Sequence, residues 1–154
     1  MRHLRTILMA FCALVLVLLV VVPFTQVVMR DLFGAAIIGA EEFTRFLLIV
    51  LVFTAFPLVV MDHENIVMAE FREALPPAMQ KVAVFVIAFL GFAAAAFIAW
   101  VTWQTIFRNL TNATPTLKIP FWLFLGSTFF GFAAAALLHL RDLRNPPREH
   151  TKVL

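Results

Sequence analysis

Four long apolar runs separated by short polar stretches account for most of this chain. They cover residues 7–29, 42–61, 82–107 and 121–140. A bilayer core about 30 Å thick needs roughly 20 apolar residues per helical crossing, so each run predicts one membrane-spanning helix. The third is long enough to tilt or to extend beyond the bilayer. Between the first two runs, residues 32–40 are apolar but too short to cross and are punctuated by Gly34 and Gly39. They predict a connector in the interface. Residues 62–81 form an extended polar stretch in which Val67, Phe71 and Leu75 recur at helical spacing, with Glu70, Arg72 and Glu73 on other faces. That pattern predicts a short amphipathic helix ending at Pro76 and Pro77, lying on the membrane or against a partner. Phe71 and Leu75 are its candidate interfacial anchors. The loop 108–120 is rich in Asn, Thr and Pro. The expected fold is an all-α integral membrane protein with four transmembrane helices plus the interfacial helix. Residues 1–140 form one membrane domain, and 141–154 a charged tail.

Composition agrees: 63% of the 154 residues are hydrophobic and 14% charged, too few charges to solvate that much apolar surface. The net charge of +3 could suggest nucleic acid, but the basic residues flank the apolar runs and so mark topology instead. With the N-terminus in the cytoplasm, four crossings return the C-terminus there. The inner side then holds Arg2, Arg5, Arg72, Lys81, Arg141, Arg144, Arg148 and Lys152, and the outer side only Arg30, Arg45, Arg108 and Lys118. This bias predicts an N-in, C-in protein. Trp100 and Trp103 sit near the outer end of the third run, where an aromatic belt meets the lipid headgroups. The first run is longer than a signal peptide's apolar core, and no small-residue cleavage site follows it, so it is expected to stay as a span. The single cysteine, Cys12, has no intrachain disulfide partner.

Few residues suggest chemistry. Charges inside a membrane are costly and usually functional, yet no carboxylate lies in the middle of a run. Glu41, Glu42 and Arg45 cluster at the entrance to the second run, and spacings of three and four let either carboxylate meet the guanidinium. The simplest reading is an ion pair that anchors the helix end and reaches Arg30; recognition of a partner subunit is the second. His3, His63, His139 and His150 are the available imidazoles, and His63 and His139 end two runs on one side. A haem between facing histidines is conceivable there, though interfacial polar residues are the plainer reading. Asn109-Leu-Thr111 and Asn112-Ala-Thr114 match glycosylation sequons, a short and common pattern. There is no phosphate loop, nucleophile–base pair or metal-ligand cluster, so neither an enzyme nor a cofactor in this chain is expected. The hexapeptide Gly91-Phe-Ala-Ala-Ala-Ala96 recurs as Gly131-Phe-Ala-Ala-Ala-Ala136 on helices of opposite direction. Small residues let helices approach closely in lipid, so both runs read as packing faces, against each other or a partner.

Several segments, in order, resemble a known family. Arg30-Asp31-Leu32-Phe33-Gly34 follows the first span, and Glu41-Glu42-Phe43-Thr44-Arg45-Phe46 is similar to a Glu-Glu-x-x-Arg entrance to the second. Asn65-Ile66-Val67 and Ala74-Leu75-Pro76-Pro77 resemble a connector that usually reads His-Ile-x-Val and later Leu-Pro. Thr114-Pro115-Thr116-Leu117-Lys118-Ile119-Pro120-Phe121-Trp122 resembles a Leu-Gly-Ile-Pro-x-Trp signature before the fourth span. Together, over roughly residues 4–140, they resemble the small, Q-type (DctQ-like) membrane subunit of tripartite ATP-independent periplasmic (TRAP) transporters. The chain departs from that pattern at Asn65, commonly His, and at Lys118, commonly Gly.

The resemblance implies a subunit of a bacterial inner-membrane importer. A periplasmic substrate-binding protein (P-type) captures an organic acid, and a large carrier subunit (M-type) moves it inward by an elevator-like mechanism coupled to sodium. The sodium and substrate sites are expected in that large subunit. The small subunit would enlarge the carrier's static scaffold and help to dock the binding protein. On this reading Arg30, Glu41, Glu42 and Arg45 are subunit contacts that order the outer end, and Asn109, Asn112, Thr114 and Lys118 face the binding protein. Two other classes fit parts of the pattern: a self-sufficient homodimeric transporter and a membrane anchor of a redox complex.

Overall fold

The structure, a computed structural model, describes residues 2–61 and 76–144. Among these residues it is helical apart from loops and one isolated bridge between Ala113 and Pro120. The four helices are α1 (Arg2–Phe33), α2 (Ala40–Met61), α3 (Pro77–Arg108) and α4 (Phe121–Arg144). All four are long and apolar enough to cross a membrane, so the expected all-α membrane class holds. The amphipathic segment with Phe71 and Leu75, the connector residues Asn65 to Val67, His63, and the tail from residue 145 lie outside the described residues.

The helices outrun their apolar cores. At 1.5 Å per residue the 32 residues of α1 measure about 48 Å, well beyond a bilayer core of about 30 Å. Helix α3 begins at Pro77, earlier than the apolar run that starts at residue 82. Pro77 opens the helix, with Pro76 as its N-cap, because its missing N–H is one the first turn leaves unpaired anyway.

Among the described residues the four helices do not close into a bundle. Helix α1 packs on α2, α2 on α4, and α4 on α3, and among the described residues no other pair of helices meets. The result is an open row ordered α1, α2, α4, α3. Phe46 meets Phe124 at 5.1 Å between ring centroids and Phe53 meets Phe132 at 5.6 Å, so α2 and α4 run parallel. Trp103 meets Phe129 at 5.3 Å while Gly91 lies against His139, so α3 and α4 run antiparallel.

Lipid removes the hydrophobic drive for helix pairing, which leaves close contact of small residues and interlocking side chains. The core is accordingly small-residue-rich. Ala95 of α3, Ala135 and Ala136 of α4 and Val60 of α2 form one buried cluster, flanked by Phe56, Phe92 and Phe132. The two Gly-Phe-Ala copies thus pack on each other. In lipid a hydroxyl needs an acceptor inside the protein. Thr25, Thr44, Thr105, Ser127 and Thr128 each donate to the carbonyl one turn earlier.

Candidate functional site at the loop end of the helix row

The polar residues singled out in the sequence gather where α1 gives way to α2 and α3 to α4. The first connector leaves α1 at Phe33 and turns through Gly34 (φ +62°) and Gly39 (φ +89°), both in the left-handed region that a side chain disfavours. Ala40 then begins α2, with Glu41 and Glu42 in its first turn, where carboxylates complement the positive end of the helix dipole.

The second connector is tightly built. Asn109 caps α3: its amide side chain donates to the Thr105 carbonyl at 2.9 Å, and its own oxygen accepts from Asn112 Nδ2 at 2.7 Å. The Thr114 amide donates to the Ile119 carbonyl at 2.9 Å, and the Ile119 amide donates to Thr114 Oγ1 at 3.0 Å. The Phe121 amide donates to the Asn112 carbonyl at 2.9 Å, which ties the loop to the start of α4. Thr114 is buried, while Pro115, Thr116, Leu117 and Lys118 form an exposed tip. Lys118 turns the chain in the left-handed region, at φ +55°.

Glu42 joins the two connectors. Its Oε1 accepts the Thr116 amide at 3.0 Å and its Oε2 accepts the Leu117 amide at 2.9 Å. The Leu117 side chain lies over Gly39, where a Cβ would stand 2.6 Å from Leu117 Cγ. The contact therefore requires a glycine for space as well as for its φ.

Of the two pairings that the spacing offered Arg45, the structure has the one with Glu41. Arg30 pairs with its neighbour Asp31 at 2.9 Å, and Arg45 approaches Glu41 at 3.9 Å. Both pairs are well exposed, and surface pairs of this kind contribute little. Glu42 does not make the Arg45 pair that its spacing allowed, nor the contact with Arg30 that was expected; the loop amides take its carboxylate. Trp100 is exposed, and Trp103 packs on Phe107 and Phe129. Of the four residues read as a docking face, Asn109, Asn112 and Thr114 are engaged in holding the loop, and Lys118 stands at its tip. The sequence reading missed Gly39, Thr116 and Leu117. A visible signal existed for Lys118: the resembled family commonly has Gly there, and a left-handed backbone is what Gly suits. His139 rests against Gly91. Among the described residues no three His, Cys, Asp or Glu side chains gather as a metal would require.

Residues 19–148 match the family model described as tripartite ATP-independent periplasmic transporters, DctQ component. A protein of Haemophilus influenzae named as a TRAP transporter small permease protein is 27% identical over 127 residues, covering 82% of this chain and 76% of that one.

Proposed function

This chain belongs to the DctQ component family of TRAP transporters, and we propose that it serves there as a static membrane part rather than as the carrier. It is a multi-pass membrane protein of a family of transporter components, not of enzymes. One observation carries the proposal. Between Arg5 and Arg30 in α1, beyond Arg45 in α2, between Lys81 and Arg108 in α3, and from Phe121 to Leu140 in α4, no Asp, Glu, Lys or Arg occurs. An ion-coupled carrier of an organic anion holds its cargo at membrane depth with charged side chains or with the ends of broken helices, and the four helices here run unbroken. These spans offer packing surfaces instead.

The open row suits a scaffold. Many of its large apolar side chains are exposed, and among the described residues α1 contacts the other helices only through α2. One face of the row would lie against a large carrier subunit of the bacterial inner membrane and the other against lipid. The substrate, an organic acid, and the driving sodium gradient would be handled by that carrier. Both termini would face the cytoplasm, which puts the 109–120 loop in the periplasm. A docking role for the substrate-binding protein then falls to the exposed tip with Lys118. Lys118→Glu should weaken that docking without lowering the yield of the membrane complex.

Purifying the tagged chain in mild detergent from its native host, with mass spectrometry of what accompanies it, tests the proposal. A stable complex with a large, many-span membrane protein is expected. A homodimer without a partner would contradict it and favour the self-sufficient transporter.

A further inference from the structure

We infer that Glu42 is a positioning residue: from the first turn of α2, its carboxylate holds the tip of the α3–α4 loop in one backbone conformation. The loop's internal bonds close its base, through Thr114 with Ile119 and Phe121 with Asn112. They leave the consecutive amides of Thr116 and Leu117 to an acceptor outside the loop. A carboxylate matches that need, because its two oxygens take one amide each, at 3.0 and 2.9 Å. Bonds to a charged acceptor are roughly twice as strong as neutral ones. Arg45, the cation that could have claimed Glu42, is turned toward Glu41. Adjacent acidic residues thus divide two tasks, one facing a side chain and the other a backbone.

The geometry on either side supports the assignment. Leu117 is seated on Gly39 of the other connector, so the tip is gripped through a side chain as well as through its amides. Lys118, the next residue, adopts its left-handed turn directly after the two held amides. The bonds span 74 and 75 positions of sequence. They join the α1–α2 hairpin to the α3–α4 hairpin, which otherwise meet along the α2–α4 seam. Glu42 therefore determines where the tip stands relative to α2. An ordered tip loses less conformational entropy when a partner binds it. The inference stands on the geometry alone and does not depend on which partner the tip meets.

Hydrogen–deuterium exchange on the purified membrane complex tests this. Overlapping peptides that isolate the Thr116 and Leu117 amides would be compared in wild type, Glu42→Gln, Glu42→Ala and Arg45→Gln. In Glu42→Ala, exchange at these two amides should rise by about tenfold or more. It should rise less in Glu42→Gln, which keeps one carbonyl acceptor and the side-chain volume, and it should stay at the wild-type rate in Arg45→Gln. The amides of α2 should be unchanged throughout. If Glu42→Ala yields no complex, Glu42→Gln alone decides. Unchanged exchange at Thr116 and Leu117 would overturn the inference. So would an equal rise in Arg45→Gln, or a rise spread along α2, since either would make Glu42 a general stabiliser of the helix end. A missing large partner in wild type would count against the transporter-component reading and leave the exchange comparison intact on the chain itself.

Discussion

The carbonyl oxygen of Phe53 stands against the backbone of Gly131, so close that a Cβ at position 131 would collide with it. Pro57 explains why that oxygen is there to be met. A proline has no N–H to return to the carbonyl four residues earlier, which is that of Phe53. In lipid a freed carbonyl needs relief from within the protein. Helix α4 supplies its barest point, a glycine, whose Cα–H groups can approach a carbonyl as a weak donor. The phenylalanines on either side, Phe46 with Phe124 and Phe53 and Phe56 with Phe132, close the seam.

Gly131→Ala should therefore destabilise the helix row. The added carbon meets backbone, which cannot yield as a side chain can, and overpacking of this kind costs about 1–3 kcal/mol. Gly126 has nothing within 4 Å of its would-be Cβ, so Gly126→Ala should be neutral or mildly stabilising. Thermal midpoints in one detergent would compare the two. Equal midpoints would contradict the seam.

Lys118→Gly should raise the midpoint by an amount corresponding to roughly 1 kcal/mol, because a non-glycine residue in the left-handed region is strained. Lys118→Val should lower it, since a branched side chain is least tolerated there. A stabilising valine would mean that the loop does not turn at this residue.

Charge exchange separates the two readings of the acidic pair. Glu42→Lys should disorder the loop tip, and adding Arg45→Glu should not restore it, because Arg45 is turned to Glu41 and Glu42 to backbone amides. The same exchange protection at Thr116 and Leu117 reports on this. Rescue by the double reversal would restore the simple ion pair.

Topology is open to labelling in a Cys12→Ser background. A membrane-impermeant maleimide added to intact cells with a permeable outer membrane should modify Lys118→Cys. Arg144→Cys should react only after the inner membrane is opened. The reverse pattern would invert the orientation and remove the loop from the periplasm.

The spans were legible because lipid imposes a pattern that needs no partner to interpret: runs of apolar residues bounded by charge, each as long as the bilayer core. The paired Gly-Phe-Ala runs were legible as packing faces for the same reason, since only small residues allow close approach in lipid. Their arrangement was not. Nothing in a hexapeptide says that Gly131 meets a carbonyl freed by Pro57, or that Gly91 receives the imidazole of His139. Glu42 was legible as a residue at a helix entrance, but its partner was not. Local spacing offered Arg45, while the acceptor-seeking amides belong to a loop 74 and 75 positions away and carry no side-chain signature. Pro76 and Pro77 punctuate the sequence, but punctuation alone does not say that the next helix starts at Pro77, five residues ahead of its apolar run.

The central claim is that this chain supports transport without performing it. Uptake of a radiolabelled organic acid into proteoliposomes, driven by an imposed sodium gradient with the soluble binding protein outside, tests it most directly when the large membrane component is reconstituted with and without this chain. The account predicts uptake with both membrane components and none with either alone. Uptake by this chain alone, or at the full rate by the large component without it, would contradict the account.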